Sequence, residues 1–187
     1  MTPSALLLKW KVLQAFDPRL CRAANHWARR RGIHGFFGII SRLGDGGFWY
    51  TLMVVLAAFG GARGLVAAMQ MLGTGLIAWL LYRTLKLHTR RARPFRAHPD
   101  VTARAAALDE YSFPSGHTLH AVSFTIVAVA WFPFLALPLA VFTVLVAMSR
   151  VVLGLHYPTD VLAGILIGIA LGAASVWSCS PSALAMA

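Results

Sequence analysis

Charged side chains are scarce in this sequence of 187 residues: they make up 12% of the chain, and only six of them are acidic. Hydrophobic residues account for 58%, and the mean hydropathy is +0.68. This composition excludes an ordinary soluble domain and indicates a membrane protein. Against the six acids stand 17 Lys and Arg, giving a net charge of +11. In a chain this apolar, such charge fits lipid headgroups or a phosphorylated substrate better than nucleic acid, so we expect no nucleic-acid partner.

Cysteines are also few: Cys21 and Cys179 lie near opposite ends, lack metal-ligand spacing and cannot define a disulfide framework. The N-terminus lacks the features of a signal peptide, because Lys9 and Lys11 interrupt its apolar run and no small-residue cleavage site follows. We therefore expect this segment to be retained. Without an internal repeat, low-complexity tract or flexible linker, the chain is predicted to form a single membrane-embedded domain over residues 1–187.

The sequence does contain five apolar runs, at residues 48–60, 65–81, 118–132, 134–148 and 161–177. Each is slightly shorter than the roughly 20 residues that span a bilayer and is expected to recruit flanking residues. Residues 61–64 are predicted to be a tight turn, and Pro133 and Pro138 mark a second junction. Gly164, Gly168 and Gly172 recur every fourth residue, a spacing that lets helices approach closely. The runs predict an all-α polytopic transmembrane helical bundle.

Residues 1–45 are predicted to be an interfacial or first-span region. An apolar face there would be formed by Leu6, Leu7, Trp10, Leu13 and Phe16, with lysines on the other side, which is typical of an amphipathic helix. Residues 33–43 are apolar but short, and are either a sixth span or a surface helix. The predicted fold is therefore a bundle of five or six spans with an N-terminal amphipathic helix.

Polar residues interrupt the apolar runs in three clusters between residues 86 and 160. Lys86 and Arg93 follow the second run, Ser115, Gly116 and His117 precede the third, and Arg150, His156 and Asp160 lie between the fourth and the fifth. Because each span reverses the direction of the chain, all three clusters are expected on one membrane face. They can therefore form one site.

The cations of these clusters suit a phosphate. Arg93 and Arg150 offer planar, bidentate donors to an oxyanion, and Lys86 adds a compact charge. Ser115 and Gly116 precede an apolar helix, so their backbone N–H groups can point at an anion. We predict an anion site that uses neither a metal nor a cofactor.

Two histidines provide the reactive groups. His156 and Asp160 are four residues apart, so the carboxylate can orient the imidazole, and Pro158 is tolerable in the first turn of a helix. Held through one ring nitrogen, His156 can attack phosphorus with the other. His117 can protonate the leaving alkoxide and later deprotonate water.

Three motifs carry a resemblance to a known family. They are Lys86 with Arg93-Pro94, then Pro114-Ser115-Gly116-His117, and then Ser149-Arg150 with His156 and Asp160. Together they resemble the type 2 phosphatidic acid phosphatase superfamily. The resemblance implies a membrane lipid phosphatase in which His156 is the nucleophile, Asp160 its partner and His117 the acid and base. It also implies phosphate binding by Lys86, Arg93, Ser115, Gly116 and Arg150.

Several alternatives remain open at this point. The candidate lipid substrates are undecaprenyl pyrophosphate, phosphatidylglycerol phosphate and phosphatidic acid, and the phosphate could instead pass to another lipid. A transporter or anionic-lipid-binding protein without turnover is the alternative from another class, but binding alone needs neither His156 nor Asp160. Vanadate-dependent haloperoxidases share the motifs, but they are soluble and larger. The oligomeric state is not predicted.

Two signals disagree on which side of the membrane carries the site. The positive-inside rule favours the cytoplasm, because seven Lys and Arg lie between residues 83 and 104, whereas only Arg63 lies in the opposite turns. The resemblance favours the periplasmic face of a bacterial inner membrane, which we prefer because a phosphate site requires several of these cations. Arg90, Arg91 and Arg96 are expected to be solvated, Asp45 to belong to a turn and His120 to be structural.

Overall fold

The computed structural model describes the backbone of residues 3–179 and the side chains of residues 15–179. Its helices are α1 (Pro3–Trp27), α2 (Arg31–Arg42), α3 (Phe48–Phe59), α4 (Gly61–Thr89), α5 (Pro94–Ala97), α6 (Gly116–Trp131), α7 (Ala136–Val152) and α8 (Pro158–Ser178). Leu43–Gly47 is a short π-helix between α2 and α3, and Pro133–Leu135 is a short 3-10 helix before α7. No strand occurs in residues 3–179, so the predicted all-α class is confirmed.

Three of the described segments are long and apolar enough to cross a membrane: Gly61–Ala97, Pro133–Val152 and Pro158–Ser178. α6 is apolar but shorter. These segments make the chain an integral membrane protein, whereas the predicted number of five or six spans stays a prediction. Of the apolar face predicted for α1, only Phe16 is among the residues whose side chains the structure describes, and it is exposed.

Close packing of α6 against α8 explains the glycines of α8. A Cβ at Gly164 would lie 2.7 Å from the backbone oxygen of Ser115, and one at Gly168 would lie 2.8 Å from that of Leu119. Because backbone atoms cannot move aside cheaply, only glycine allows this approach. The expected role of these glycines is confirmed. The contact also brings the N-termini of both helices, which begin at Gly116 and Pro158, to the same end of the bundle.

Large side chains fill the space between α3, α4, α6 and α7. Trp49, Met71, Val127, Trp131 and Val146 are buried in one cluster. With four helices fixed against each other, the end of α4, the start of α6 and the end of α7 are held at one end of the bundle. The convergence that was expected from alternating spans is therefore built into the packing.

The helix that contains the second apolar run is longer at both ends than the sequence predicted. The expected turn at 61–64 is absent, because α4 begins at Gly61, and the helix continues past the expected end at residue 81 to Thr89. Residues 82–89 contain no Gly or Pro to interrupt the helix. It ends where Arg90 adopts a left-handed conformation (φ 45°). Lys86 consequently lies on the last turn of α4, rather than in a loop after it.

Candidate active site

A cavity of about 580 Å³ lies between α3 and α4 and reaches the polar end of the bundle. Its walls are largely apolar and include Met53, Met69, Leu72, Leu76 and Trp79. Its polar end is lined by Asp45, Lys86, Asp109, Gly116, His117 and His156. The cavity therefore joins an apolar channel to residues from all three predicted clusters.

His156 occupies the loop between α7 and α8, where its backbone N–H donates to the carbonyl of Arg150 at 3.0 Å. Nδ1 of its ring lies 2.7 Å from the backbone oxygen of Ser112, and Nε2 lies 3.2 Å from Nη1 of Arg93. A carbonyl can only accept and a guanidinium can only donate a hydrogen bond. Nδ1 therefore carries the proton, and Nε2 presents its lone pair toward Arg93.

The electrostatic surroundings keep this imidazole neutral. Complete burial, together with the positive charges of Arg93, Arg150 and Lys86, holds the pKa of His156 well below its usual range. A neutral ring with an unprotonated Nε2 is the form that can act as a nucleophile.

Asp160 lies beside His156, as the spacing predicts, but does not hydrogen-bond to its ring. Its Oδ2 lies 3.8 Å from Nδ1 of the ring, beyond hydrogen-bond distance, and instead accepts from the backbone N–H of Tyr157 at 2.9 Å. Asp160 thus stabilises the first turn of α8, where Pro158 is tolerated as predicted. The hydrogen-bond acceptor at Nδ1 of His156 is the backbone oxygen of Ser112.

Arg91 was expected to be solvated, and this expectation is wrong. Its Nη1 donates to Asp160 Oδ1 at 2.6 Å and to Thr159 Oγ1 at 2.8 Å, while Nη2 donates to Asp17 Oδ2 at 2.6 Å. The guanidinium also lies 4.2 Å from the centre of the Tyr157 ring. Arg91 therefore ties α1 to the start of α8. Arg96 does fit the expectation, since it is exposed and pairs only at the surface with Glu110.

Asp109 was missed by the sequence reasoning, although it binds two of the predicted phosphate ligands. Both of its carboxylate oxygens lie 2.7 Å from Nζ of Lys86, and Oδ1 also lies 2.7 Å from Nη2 of Arg93. Burial raises the pKa of Asp109, but the hydrogen bonds and charges of Lys86 and Arg93 outweigh it and hold this pKa below its usual value. Asp109 is therefore an ionised partner of these cations.

Arg150 is buried at the end of α7, with 2% of its surface exposed. Its Nη1 donates to the hydroxyl of Ser41. Its Nε has no hydrogen-bond partner among the described residues. A buried guanidinium with an unused donor retains capacity for an anion.

The start of α6 differs from the predicted arrangement. The backbone N–H of Ser115, which was expected to face an anion, donates to the carbonyl of Asp160 at 3.0 Å. The hydroxyl of Ser115 lies 2.9 Å from that of Thr118. Gly116 does line the cavity, and a Cβ there would approach the ring of Tyr82 to 3.3 Å. Of this pair, Gly116 is the residue that the structure places beside the cavity.

His117 contacts Asp45 through Nε2 and Oδ1, so the expectation that Asp45 serves only its turn is wrong. The carboxylate can only accept, so Nε2 carries a proton and Nδ1 remains for exchange with a reacting group.

His120, expected to be structural, has its two ring nitrogens near the backbone oxygens of Gly116 (2.9 Å) and Gly75 (3.2 Å). Among the described side chains, no group of three His, Cys, Asp or Glu is placed to hold a metal ion.

The fold and the site define an integral membrane protein with a cationic site at the end of an apolar cavity. The sequence model of the PAP2 superfamily matches residues 64–182, and the chain belongs to this superfamily. The resemblance drawn from the motifs is confirmed.

Two curated relatives and one solved structure show the extent of the similarity. Undecaprenyl-diphosphatase BcrC of Bacillus subtilis is 34% identical over 99 residues, which cover 53% of this chain and 51% of the relative. Phosphatidylglycerophosphatase B of the same organism is 32% identical over 180 residues, or 89% and 85% of the two chains. A transmembrane PAP2-type phosphatidylglycerolphosphate phosphatase from Bacillus subtilis superposes with a TM-score of 0.73 at 28% identity, covering 94% of both chains. The match thus spans about half the length of the first relative and most of the other two.

Proposed function

We propose that this chain is a lipid phosphatase that hydrolyses a lipid phosphate or diphosphate through a phosphohistidine at His156. The observation that carries the proposal is the neutral His156, whose unprotonated Nε2 faces Arg93 at the polar end of an apolar cavity. A nucleophile, cations for a phosphate and room for a hydrocarbon chain are thereby adjacent. Membership in the PAP2 superfamily supports the same activity.

In the first step, Nε2 of His156 attacks phosphorus and the bond to the leaving oxygen breaks. Lys86, Arg93 and Arg150 stabilise the charge on the other phosphate oxygens, with Gly116 at the helix start beside them. His117 enters this step protonated on both ring nitrogens: Nε2–H stays on Asp45, and Nδ1 gives its proton to the leaving lipid oxygen, so that the lipid departs as an alcohol or a monophosphate.

In the second step, water attacks the phosphorus of the phosphohistidine. His117, now without its transferred proton, takes one from the water, and the bond between phosphorus and Nε2 breaks. Inorganic phosphate leaves, and both histidines return to their starting protonation states. Asp45 keeps the ring of His117 oriented through both steps.

Asp160 is proposed to act on His156 through structure rather than through a direct hydrogen bond. It fixes the start of α8 by accepting from the N–H of Tyr157, and Arg91 holds its other oxygen. His156 immediately precedes this cap, so the position of its ring depends on it. Ser115 contributes in a similar way, since its N–H ties the start of α6 to Asp160.

The apolar cavity supports a lipid as the substrate. Names of the relatives supply two candidates, undecaprenyl diphosphate and phosphatidylglycerophosphate, and phosphatidic acid is a third. Gly73 lies on the wall of the cavity, and no atom stands within 4 Å of the place where its Cβ would be. A side chain introduced there would enter the space proposed for the hydrocarbon.

The test is phosphate release by the detergent-solubilised protein from a panel of these lipids in the presence of EDTA. The wild type is expected to release phosphate. Gly73→Trp is expected to lower kcat/KM for a long-chain lipid by roughly 10–100-fold, or about 1.4–2.8 kcal/mol. Its rate on a soluble phosphate ester should change little, because only the hydrocarbon path is blocked.

Gly35→Trp is the matched control, because Gly35 is exposed on α2 and also has open space around it. Equal losses on the lipid and the soluble ester would show that the cavity does not hold the hydrocarbon. Binding of the lipids without any phosphate release would favour the transporter or lipid-binding alternative. Radiolabel that appears on a second lipid, rather than as free phosphate, would establish a phosphotransferase.

We also propose that the site faces the periplasm of a bacterial inner membrane. Of the seven cations that the positive-inside rule counts on this side, Lys86, Arg91 and Arg93 are engaged in ion pairs with buried or half-buried carboxylates. They are required by the site and are therefore weak evidence for a cytoplasmic location.

Cysteine labelling tests this orientation. In a Cys179→Ser background, Glu110→Cys places an exposed thiol near the site and Phe134→Cys places one at the opposite end, while native Cys21 is buried. A membrane-impermeant maleimide is expected to label Glu110→Cys in spheroplasts, and Phe134→Cys only after lysis. The reverse pattern would place the site in the cytoplasm.

A further inference from the structure

The two cations proposed for the substrate phosphate already hold an anion, the carboxylate of Asp109. Lys86 has three N–H donors: two are directed at the Asp109 oxygens at 2.7 Å, and the third lies 3.1 Å from the backbone oxygen of Tyr111. Lys86 therefore has no donor to spare. A phosphate can reach it only if the carboxylate of Asp109 moves away.

Arg93 is similarly engaged. Its Nη2 donates to Asp109 Oδ1 at 2.7 Å, and its Nε donates to the backbone oxygen of Asp109 at 3.0 Å. Its Nη1 is shared between the carbonyl of Leu155 and His156 Nε2. The Asp109 carboxylate thus lies where a bound phosphate would meet both cations, and it lines the same cavity as His156.

Of the three side chains, Asp109 is the one free to leave. Its side chain is 37% exposed, whereas those of Lys86 and Arg93 are 6% and 1% exposed. It lies in the irregular stretch between Arg104, whose N–H donates to Leu153 at 3.0 Å, and Ser112, whose N–H donates to Arg91 at 2.9 Å. The segment is held by backbone hydrogen bonds at both ends, and the part between them lies at the surface.

We propose that Asp109 is a specificity-determining residue: a resident carboxylate that a phosphate bearing two or more negative charges displaces, and a singly charged phosphodiester does not. The inference rests on the proposed function, because it takes Lys86 and Arg93 as the ligands of the substrate phosphate. Every anion must break the same ion pairs to enter. Only an anion with more charge than the carboxylate makes stronger pairs in return.

The consequence is discrimination against the phosphodiester headgroups of ordinary membrane lipids. These headgroups share the bilayer with the substrate and can reach the same cavity. Their single charge matches that of Asp109, so exchange brings them no electrostatic gain. A terminal phosphate or diphosphate carries more charge than the Asp109 carboxylate and therefore gains electrostatic energy when it displaces it. The site thereby selects the group that the reaction needs.

The experiment measures anion binding by isothermal titration calorimetry at mildly alkaline pH, with inorganic phosphate as the dianion and dimethyl phosphate as the monoanion. The wild type is expected to bind phosphate and to show no binding of dimethyl phosphate. Asp109→Asn is expected to bind phosphate at least about tenfold more tightly and to acquire binding of dimethyl phosphate. Glu110→Gln, the neighbouring exposed acid, should behave as the wild type.

Two further variants keep the test decisive. Asp109→Ala should reproduce Asp109→Asn, and Asp109→Glu, which keeps the charge, should retain the discrimination of the wild type. Equal binding of both anions by the wild type would overturn the inference, as would unchanged or weaker phosphate binding in both neutral variants. Binding needs no turnover: the expected pattern without lipid hydrolysis would reject the phosphatase but keep this role of Asp109.

Discussion

Replacing His156 with alanine is expected to lower kcat for phosphate release from a lipid by on the order of 10⁴–10⁶-fold, because the attacking group is lost. Alanine also removes the hydrogen bonds of the ring to Ser112 and Arg93. Lys86 and Arg93 remain, so the substrate should still bind. The measurement is the kcat for phosphate release, together with trapping of an acid-labile phosphoprotein in the wild type.

His88→Ala is the matched control, since His88 is an exposed histidine on the last turn of α4. It should form the phosphoprotein and release phosphate at the rate of the wild type. A His156→Ala protein that still forms an acid-labile phosphoprotein would place the covalent intermediate on another residue. A stable His156→Ala protein with normal kcat would remove the histidine from the chemistry altogether.

The sequence predicted the convergence of the polar clusters because helices of similar length that alternate in direction must return to the same face. The positions of Lys86, Gly116, His117 and His156 around one cavity follow from this rule and from the glycines that join α6 to α8. The motif spacing then identified which polar residues belong together. The alternation of the spans and the spacing of the motifs can both be read along the sequence, and both agree with the structure.

Partners of these residues could not be predicted in the same way. Asp45 contacts His117 across 72 residues, and Asp17 reaches Arg91 across 74 residues. Such pairs depend on how separate helices pack, which no local pattern records. The one available signal was composition: with only six acidic residues in the chain, each buried carboxylate was a candidate partner for a cation.

The loop before α6 was the least predictable part of the site. Residues 98–115 form no regular element, so neither the helical period nor spacing along a helix could place Asp109 beside Lys86 and Arg93. The same loop supplies the Ser112 carbonyl that accepts a hydrogen bond from Nδ1 of His156. A backbone acceptor has no sequence signature, so the spacing of His156 and Asp160 could indicate their proximity but not the hydrogen bond that Ser112 accepts.

Replacing His117 with alanine is expected to lower kcat on a lipid substrate by roughly 10²–10⁴-fold, the usual contribution of general acid–base catalysis. The loss should depend on the leaving group. A lipid alkoxide needs a proton as it departs, whereas p-nitrophenolate leaves without one. With p-nitrophenyl phosphate, His117→Ala should therefore form the phosphohistidine readily but hydrolyse it slowly, because water still lacks its base.

The predicted signature is a burst of p-nitrophenol equal to the amount of enzyme, followed by slow turnover, measured by rapid mixing. Asp45→Asn, which keeps the shape but removes the charge beside His117, should show a smaller loss of the same kind. Equal losses on lipid and p-nitrophenyl phosphate without a burst would mean that His117 does not transfer the proton. Its pair with Asp45 would then serve only to hold α6 against the segment before α3.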